Sequence, residues 1–268
     1  MQPDLAARVD RIAADHEHGA SWLAKEAVEA IVEAVNNGED PLPIARQLVR
    51  SRPAFGSIAG ALGRVLVAGR TPEQLIEEAN AVLSGRERAA AAIAVMLAEE
   101  IEGKVVMTHS ASATARAALM HGNPARVVCT VSEPVGEGRG FSEELAEAGL
   151  TTELVADEDG PHAVGTVGLL LLGADTVFRD GSLLNKIKTK ELAQAATKAG
   201  VPVVVASEVL KLAPDDPYEP DEDQIDLTPA DTIDRYATEE GIVAPDEIAA
   251  LVDRTPFLRE GYALLRGT

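Results

Sequence analysis

Residues 173 to 189 read GADTVFRDGSLLNKIKT, which sets Asp175 ten positions before an adjacent Asn185-Lys186 pair. The stretch follows an apolar run, Val167 to Leu172, with the length and composition of a buried strand. A carboxylate just past a strand end, with an amide and an ammonium a short way on, suits a phosphorylated, hydroxyl-rich small molecule. The lysine can meet a phosphate while the acid and the amide meet hydroxyls or a carbonyl. The same residues also fit an ordinary loop. In that reading Asp175 caps a turn, Arg179 to Ser182 lie on the surface, and Lys186 and Lys188 are solvated charges opening the next helix.

Which reading holds depends on the elements around them. The first hundred residues are patterned as helix with short interruptions. LAARVDRIAADHEHGASWLAKEAVEAIVEAVNNG carries apolar residues at helical spacing and stops at Asn-Asn-Gly. PLPIARQLVRSRP predicts a shorter helix ending near Ser51-Arg52, before Pro53. FGSIAGALGRVLVAG predicts another despite its glycines, and Thr71-Pro72-Glu73 is a strong start signal for a long one. After Gly103 the rhythm changes to short β-branched strands alternating with helices of ten to fifteen residues, from KVVMTHS through VPVVVASE. This is the pattern of an α/β fold: an N-terminal helical domain over 1–102, then a Rossmann-like, doubly wound, mostly parallel sheet over 103–268. LAPDDPYEPDEDQ is expected to be a loop, and TPADTIDRYATEEGIVAPDEIAALVDRTPFL to form helices and turns packed back on the sheet. In such sheets ligands sit at the carboxyl ends of the strands, where Thr108-His109-Ser110, Ser132-Glu133, Asp175 and Ser207-Glu208 fall.

Composition narrows the partners. The 268 residues hold 44 acidic and 24 basic side chains, a formal net charge of -20, which argues against binding nucleic acid through a broad basic face. The acid is spread through helices and loops rather than gathered in a tail. That distribution suits a surface kept soluble at high salt, as in halophilic archaea, and also an ordinary acidic cytosolic protein. No stretch approaches a membrane span, and the N-terminus lacks the regions of a signal peptide, so a cytoplasmic location is expected. Cys129 is the only cysteine; within ARVVCTV it reads as a buried thiol rather than a reactive one.

Several common cofactor sites are not matched. VGEGRGF has Gly136, Gly138 and Gly140 but not the spacing or acidic partner of a dinucleotide fingerprint, and no Gly-Lys-Ser or Gly-Lys-Thr forms a P-loop. The five histidines show no metal-ligand pattern, and His16 and His18 read as surface residues on a helix turn. Neither a metal nor a cofactor is expected.

The order of motifs is more telling. THSASA, VSEPVGEGRGFSEELAEAGL, the stretch from GADTVF to VVVASE, IDLTPADTI and EEGIVAP together resemble the superfamily of initiation factor 2B α/β/δ subunits and sugar-phosphate isomerases. Methylthioribose-1-phosphate isomerase and archaeal ribose-1,5-bisphosphate isomerase belong to it. The resemblance spans about residues 15–250 and is most specific over 173–209. It implies a homodimer or a higher homo-oligomer. It also implies an aldose–ketose reaction in which a cysteine and an aspartate exchange protons between the first two sugar carbons. The aspartate matches Asp175, the asparagine-lysine pair matches Asn185 and Lys186, and an arginine of the helical domain matches Arg52. The family's Arg-Gly-Ala segment matches His18, Gly19 and Ala20.

Two matches depart from the isomerase pattern. The catalytic cysteine, which follows Thr-His, is Ser110 here, and a hydroxyl is a poor stand-in for a thiol whose pKa lies near 8.5. His18 replaces a permanently charged arginine with a group only partly charged at neutral pH. The reading favoured from sequence is therefore an initiation factor 2B-like protein that binds a phosphorylated sugar or nucleotide, is catalytically weakened or inactive, and has a translation factor as a candidate partner. The alternative is an isomerase of ribose-1,5-bisphosphate or a related sugar phosphate, with Asp175 as proton donor and Ser110 or another group in place of cysteine.

Overall fold

The computed structural model describes residues 1–221 and 223–267. The helical segment comprises α1 (Pro3–Ala14), α2 (Ala20–Asn36), α3 (Pro41–Ser51), α4 (Gly56–Ala68) and α5 (Pro72–Ile101). The long α5 starts where its signals indicate: Thr71 accepts a hydrogen bond from the Gln74 N–H, and the Gln74 side chain reciprocates toward the backbone of Thr71. The patterned stretch before Asn37 is two helices rather than one. Asp15 breaks it, because its Oδ1 accepts the backbone N–H groups of both Glu17 and His18 and so offers the chain a local alternative to helix. His16 and His18 therefore lie on the connecting loop, exposed to solvent.

From β1 (Val105–Thr108) the chain alternates through α6 (Ala113–Gly122), β2 (Arg126–Thr130), α7 (Glu137–Glu147), β3 (Thr152–Val155), α8 (Gly160–Ala163) and β4 (Leu169–Leu172). It continues with β5 (Thr176–Val177), β6 (Leu183–Lys186), α9 (Thr189–Ala199), β7 (Val203–Ala206) and β8 (Ile225–Thr228). β9 (Arg235–Thr238), β10 (Gly241–Val243), α10 (Ile248–Asp253) and α11 (Pro256–Arg266) complete it. The main sheet runs β10-β9-β7-β4-β1-β2-β3 and is parallel except for the antiparallel edge strand β10. Successive strands spread outward from β1 on one side and from β4 on the other. The β1–β4 boundary is thus the switch point at which a crevice opens beyond the strand ends.

One expectation needs correcting. The segment after Pro229 supplies strands β9 and β10 as well as helices. Runs of four and three residues flanked by charge carry too little alternation to stand out from turns. Beyond the apolar run, β5, β6 and β8 form a separate three-stranded sheet. Its ladder sets Thr176 against Leu184, and the Asp175 N–H donates to Leu184 O at 2.9 Å. The ten-residue gap between Asp175 and Asn185 is therefore a hairpin that returns the amide to the side of the acid. Lys186 ends a strand, is buried, and precedes α9 rather than opening it. Glu222, within the expected acidic loop, lies outside the described residues.

The helical segment and the sheet are fastened by close backbone approach. A Cβ on Gly60 of α4 would fall 2.0 Å from the Leu210 carbonyl oxygen, so only glycine allows that helix to press on the segment after β7.

Candidate functional site

A cleft of about 240 Å³ opens at the switch point, slightly below the usual volume range for small-molecule pockets. The residues matched to the family's site all line it: His18, Gly19, Ala20, Arg52, Ser110, Asp175, Asn185 and Lys186. Ser132-Glu133 and Ser207-Glu208 also sit at strand ends, but they hold the walls. The N–H groups of Ser132 and Glu133 donate to the two carboxylate oxygens of Asp157 at 2.7 and 2.8 Å. Glu208 makes a bidentate pair with Arg86, which also donates to the Ser21 carbonyl and so pins the first turn of α2.

The β1 strand delivers His109 and Ser110. Ser110 has φ 63°, a left-handed conformation costly for a serine, and its N–H donates to Ser132 Oγ at 2.9 Å. His109 is buried between Thr130 Oγ1 at 2.6 Å from Nδ1 and the Ile187 carbonyl at 2.8 Å from Nε2. A carbonyl only accepts, so Nε2 carries the proton and Nδ1 accepts from Thr130. Burial pushes the His109 pKa down and keeps the ring neutral. With both nitrogens engaged, His109 is a clamp that sets Ser110 in place.

The second delivery comes from α7. A Cβ on Gly138 would lie 1.8 Å from the Thr130 carbonyl oxygen, so glycine there lets the helix start hard against the end of β2. That seating puts Glu137 in the cleft. Its Oε1 accepts from the Ser110 hydroxyl at 2.6 Å, and its Oε2 accepts from Lys186 Nζ at 3.1 Å. Lys186 is thus neither a solvated loop charge nor an unpaired phosphate hook. Asn185, also buried, donates through Nδ2 to Thr189 Oγ1 at 3.1 Å.

Sequence reasoning missed two members of the site. Glu137 lies in the glycine run set aside as a failed dinucleotide fingerprint. Lys211 follows a short turn after β7 and is fully enclosed. Its Nζ donates to the Ala174 carbonyl at 2.6 Å, burial drives its pKa down, and the carboxylates of Glu208 and Asp175 push it back up. Arg52 is buried with its guanidinium 4.4 Å from the centre of the Phe55 ring. His18 stacks on Trp22 at 3.9 Å and pairs with Asp15 through Nδ1 at 2.7 Å.

Three helix N-termini border the cleft, those of α2, α6 and α7, and their aligned N–H groups favour anions. Gly19, the cap residue of α2, makes no side-chain cap. Cys129 does not line the cleft. It is buried, and desolvation raises its thiol to about 11, as expected of a core residue. Among the described residues no three His, Cys, Asp or Glu side chains gather to hold a metal.

The sequence profile of the initiation factor 2 subunit family matches residues 16–224. The chain belongs to that family. Within it, the ribose 1,5-bisphosphate isomerase of Archaeoglobus fulgidus is 27% identical over 95% of this chain and 93% of its own length. The corresponding isomerase of Haloferax volcanii is 30% identical over 78% and 76%. Among solved structures, translation initiation factor eIF-2B of Pyrococcus horikoshii superposes with a TM-score of 0.83 at 25% identity, covering 91% of this chain and 98% of that one. Family membership and the mixed α/β fold thus agree with the motif reading. No helix among the described residues is long and apolar enough to cross a membrane.

Proposed function

We propose that the protein binds a phosphorylated pentose in this cleft and that its aldose–ketose isomerase step is slow. The observation that carries the reading is the convergence of Asp175, Asn185, Lys186, Ser110 and Arg52, far apart in sequence, on one cleft at the sheet's switch point. Relatives named as ribose 1,5-bisphosphate isomerases support the substrate class. The N-terminus of α2 and Arg52 offer a phosphate seat, and the Asp175–Asn185 hairpin offers partners for sugar hydroxyls.

Isomerisation moves the hydrogen at C2 of the sugar to C1 and the O2 proton to the carbonyl oxygen, or, where O1 carries a phosphate, to the ring oxygen O4 freed when the C1–O4 bond opens, with no change in formula. Asp175 is the side chain suited to one of those transfers. The position matched to the family's cysteine is Ser110, whose hydroxyl gives no usable base near neutral pH. Binding is retained and turnover suffers. We place the protein in the cytoplasm as a homo-oligomer, and its acidic surface as an adaptation to salt.

Isothermal titration with ribose 5-phosphate, ribose 1,5-bisphosphate and 5-methylthioribose 1-phosphate tests the binding half. Saturable binding of at least one, weakened by Lys186→Ala and by Asp175→Asn, is expected; absence of binding by all three overturns the reading.

A further inference from the structure

Resting on the sugar-phosphate reading, we propose that Glu137 sets the charge specificity of the cleft, restricting it to sugars that carry one phosphate. The two oxygens of its carboxylate are committed to Ser110 and Lys186 at 2.6 and 3.1 Å, the contacts a ligand phosphate or hydroxyl would otherwise make there. Lys186 and Glu137 are both largely enclosed, with 8% and 19% of their side chains exposed, so solvent screens the pair weakly. The formal charges lining the cleft are Arg52, Lys186 and Lys211 against Glu17, Glu137 and Asp175, which cancel in sum. Lys211 is held on the Ala174 carbonyl, and Lys186 on Glu137.

A first phosphate can use Arg52 and the positive end of α2, both supplied by the helical segment. A second phosphate reaching for Lys186 on the sheet side meets a carboxylate already in place. It must displace Glu137 and leave that charge in an enclosed site without its ammonium, or sit beside it as a like charge. A sugar hydroxyl meets no such conflict, because it can donate to a carboxylate oxygen and accept from Lys186. Glu137 therefore turns the Ser110–Lys186 end of the cleft into a hydroxyl subsite. This choice differs from the substrate in the names of the isomerase relatives. The residue responsible is a single acid at the first turn of α7.

The test is calorimetric titration of the intact protein and of Glu137→Gln and Glu137→Asp with ribose 5-phosphate and ribose 1,5-bisphosphate, at one fixed salt concentration that keeps all three folded by circular dichroism. The unmodified protein is expected to bind the monophosphate about tenfold or more tighter than the bisphosphate, from the size of one charge-assisted phosphate contact. Glu137→Gln should shift the ratio of the two affinities toward the bisphosphate by a similar factor. Glu137→Asp, which keeps the charge, should keep the preference. If the monophosphate binds but the bisphosphate binds equally or better, or Glu137→Gln leaves the ratio unchanged, the specificity role is wrong and the sugar-phosphate reading stands. If neither ligand binds the protein or its variants, both fall.

Discussion

The Ser110 hydroxyl donates to Glu137 Oε1 at 2.6 Å, across 27 residues of sequence, and this contact decides what the β1 strand end can do. A thiol at residue 110 could cycle between thiol and thiolate near neutral pH. A serine hydroxyl bound to a carboxylate that is itself held by Lys186 is a fixed polar wall, suited to binding a sugar rather than to moving its protons.

Lys186→Ala should weaken the tightest-binding pentose phosphate by about tenfold, because it removes the ammonium that keeps Glu137 in place as well as a donor to the ligand. Arg52→Ala should cost at least as much, since it strips a buried cation from the proposed phosphate seat. Titration calorimetry reads both. Affinities unchanged in both variants would move the ligand elsewhere.

Asp226 pairs in register with Asn185, and burial raises its carboxyl from 3.8 to about 6. The folded protein thus holds this proton over a range where the unfolded chain has lost it. Stability from this group is greatest below about pH 4, falls as pH rises to about 6, and stays reduced above, a cost on the order of 2–3 kcal/mol at neutral pH. Asp226→Asn is expected to raise the melting temperature at pH 8 and to give no gain at pH 4. An equal effect at both would show that the carboxylate is not desolvated.

Gly60→Ala should destabilise the fold by about 1–3 kcal/mol or more, since the new methyl collides with the Leu210 carbonyl, a backbone atom that cannot turn aside. The displaced neighbour of Leu210 is Lys211, so ligand affinity should fall with stability. Chemical denaturation and titration of the same variant test the link between the two halves.

With a net charge of -20, self-repulsion should be strong when the Debye length is about 30 Å at 0.01 M salt and weak at about 3 Å in 1 M. The melting temperature should climb steeply between those concentrations. A flat response would remove the salt-adapted reading and leave plain acidity.

Much of this was legible in the sequence because it is written locally. Thr71 and Gln74 cap α5 within one turn, and short strands alternating with helices admit few topologies. The Asp175, Asn185 and Lys186 trio is adjacent in space because a hairpin folds it, and the motif order pointed to it. What could not be read depends on distant pairing. Nothing near Glu137 announces Lys186, 49 residues on, and its glycines looked like a broken nucleotide motif rather than the close seating of α7 on β2. Lys211 is indistinguishable in sequence from a surface lysine until the core closes over it. Strands β9 and β10 are too short to show a period, and the break at Asp15 turns on one side chain capping its own backbone.

The central claim, a sugar-phosphate cleft whose isomerase step is limited by Ser110, is tested most directly by following aldose-to-ketose conversion of the tightest-binding pentose phosphate by three proteins. These are the unmodified chain, Ser110→Cys, and Ser110→Cys combined with Asp175→Asn. Losing one positioned proton-transfer group costs about a hundred- to ten-thousand-fold, so the contrast is within easy reach of measurement. The account predicts little turnover by the unmodified chain, a clear gain in Ser110→Cys, and loss of that gain when Asp175 is also changed. Brisk turnover by the unmodified chain, or no gain in Ser110→Cys despite tight binding, would contradict it.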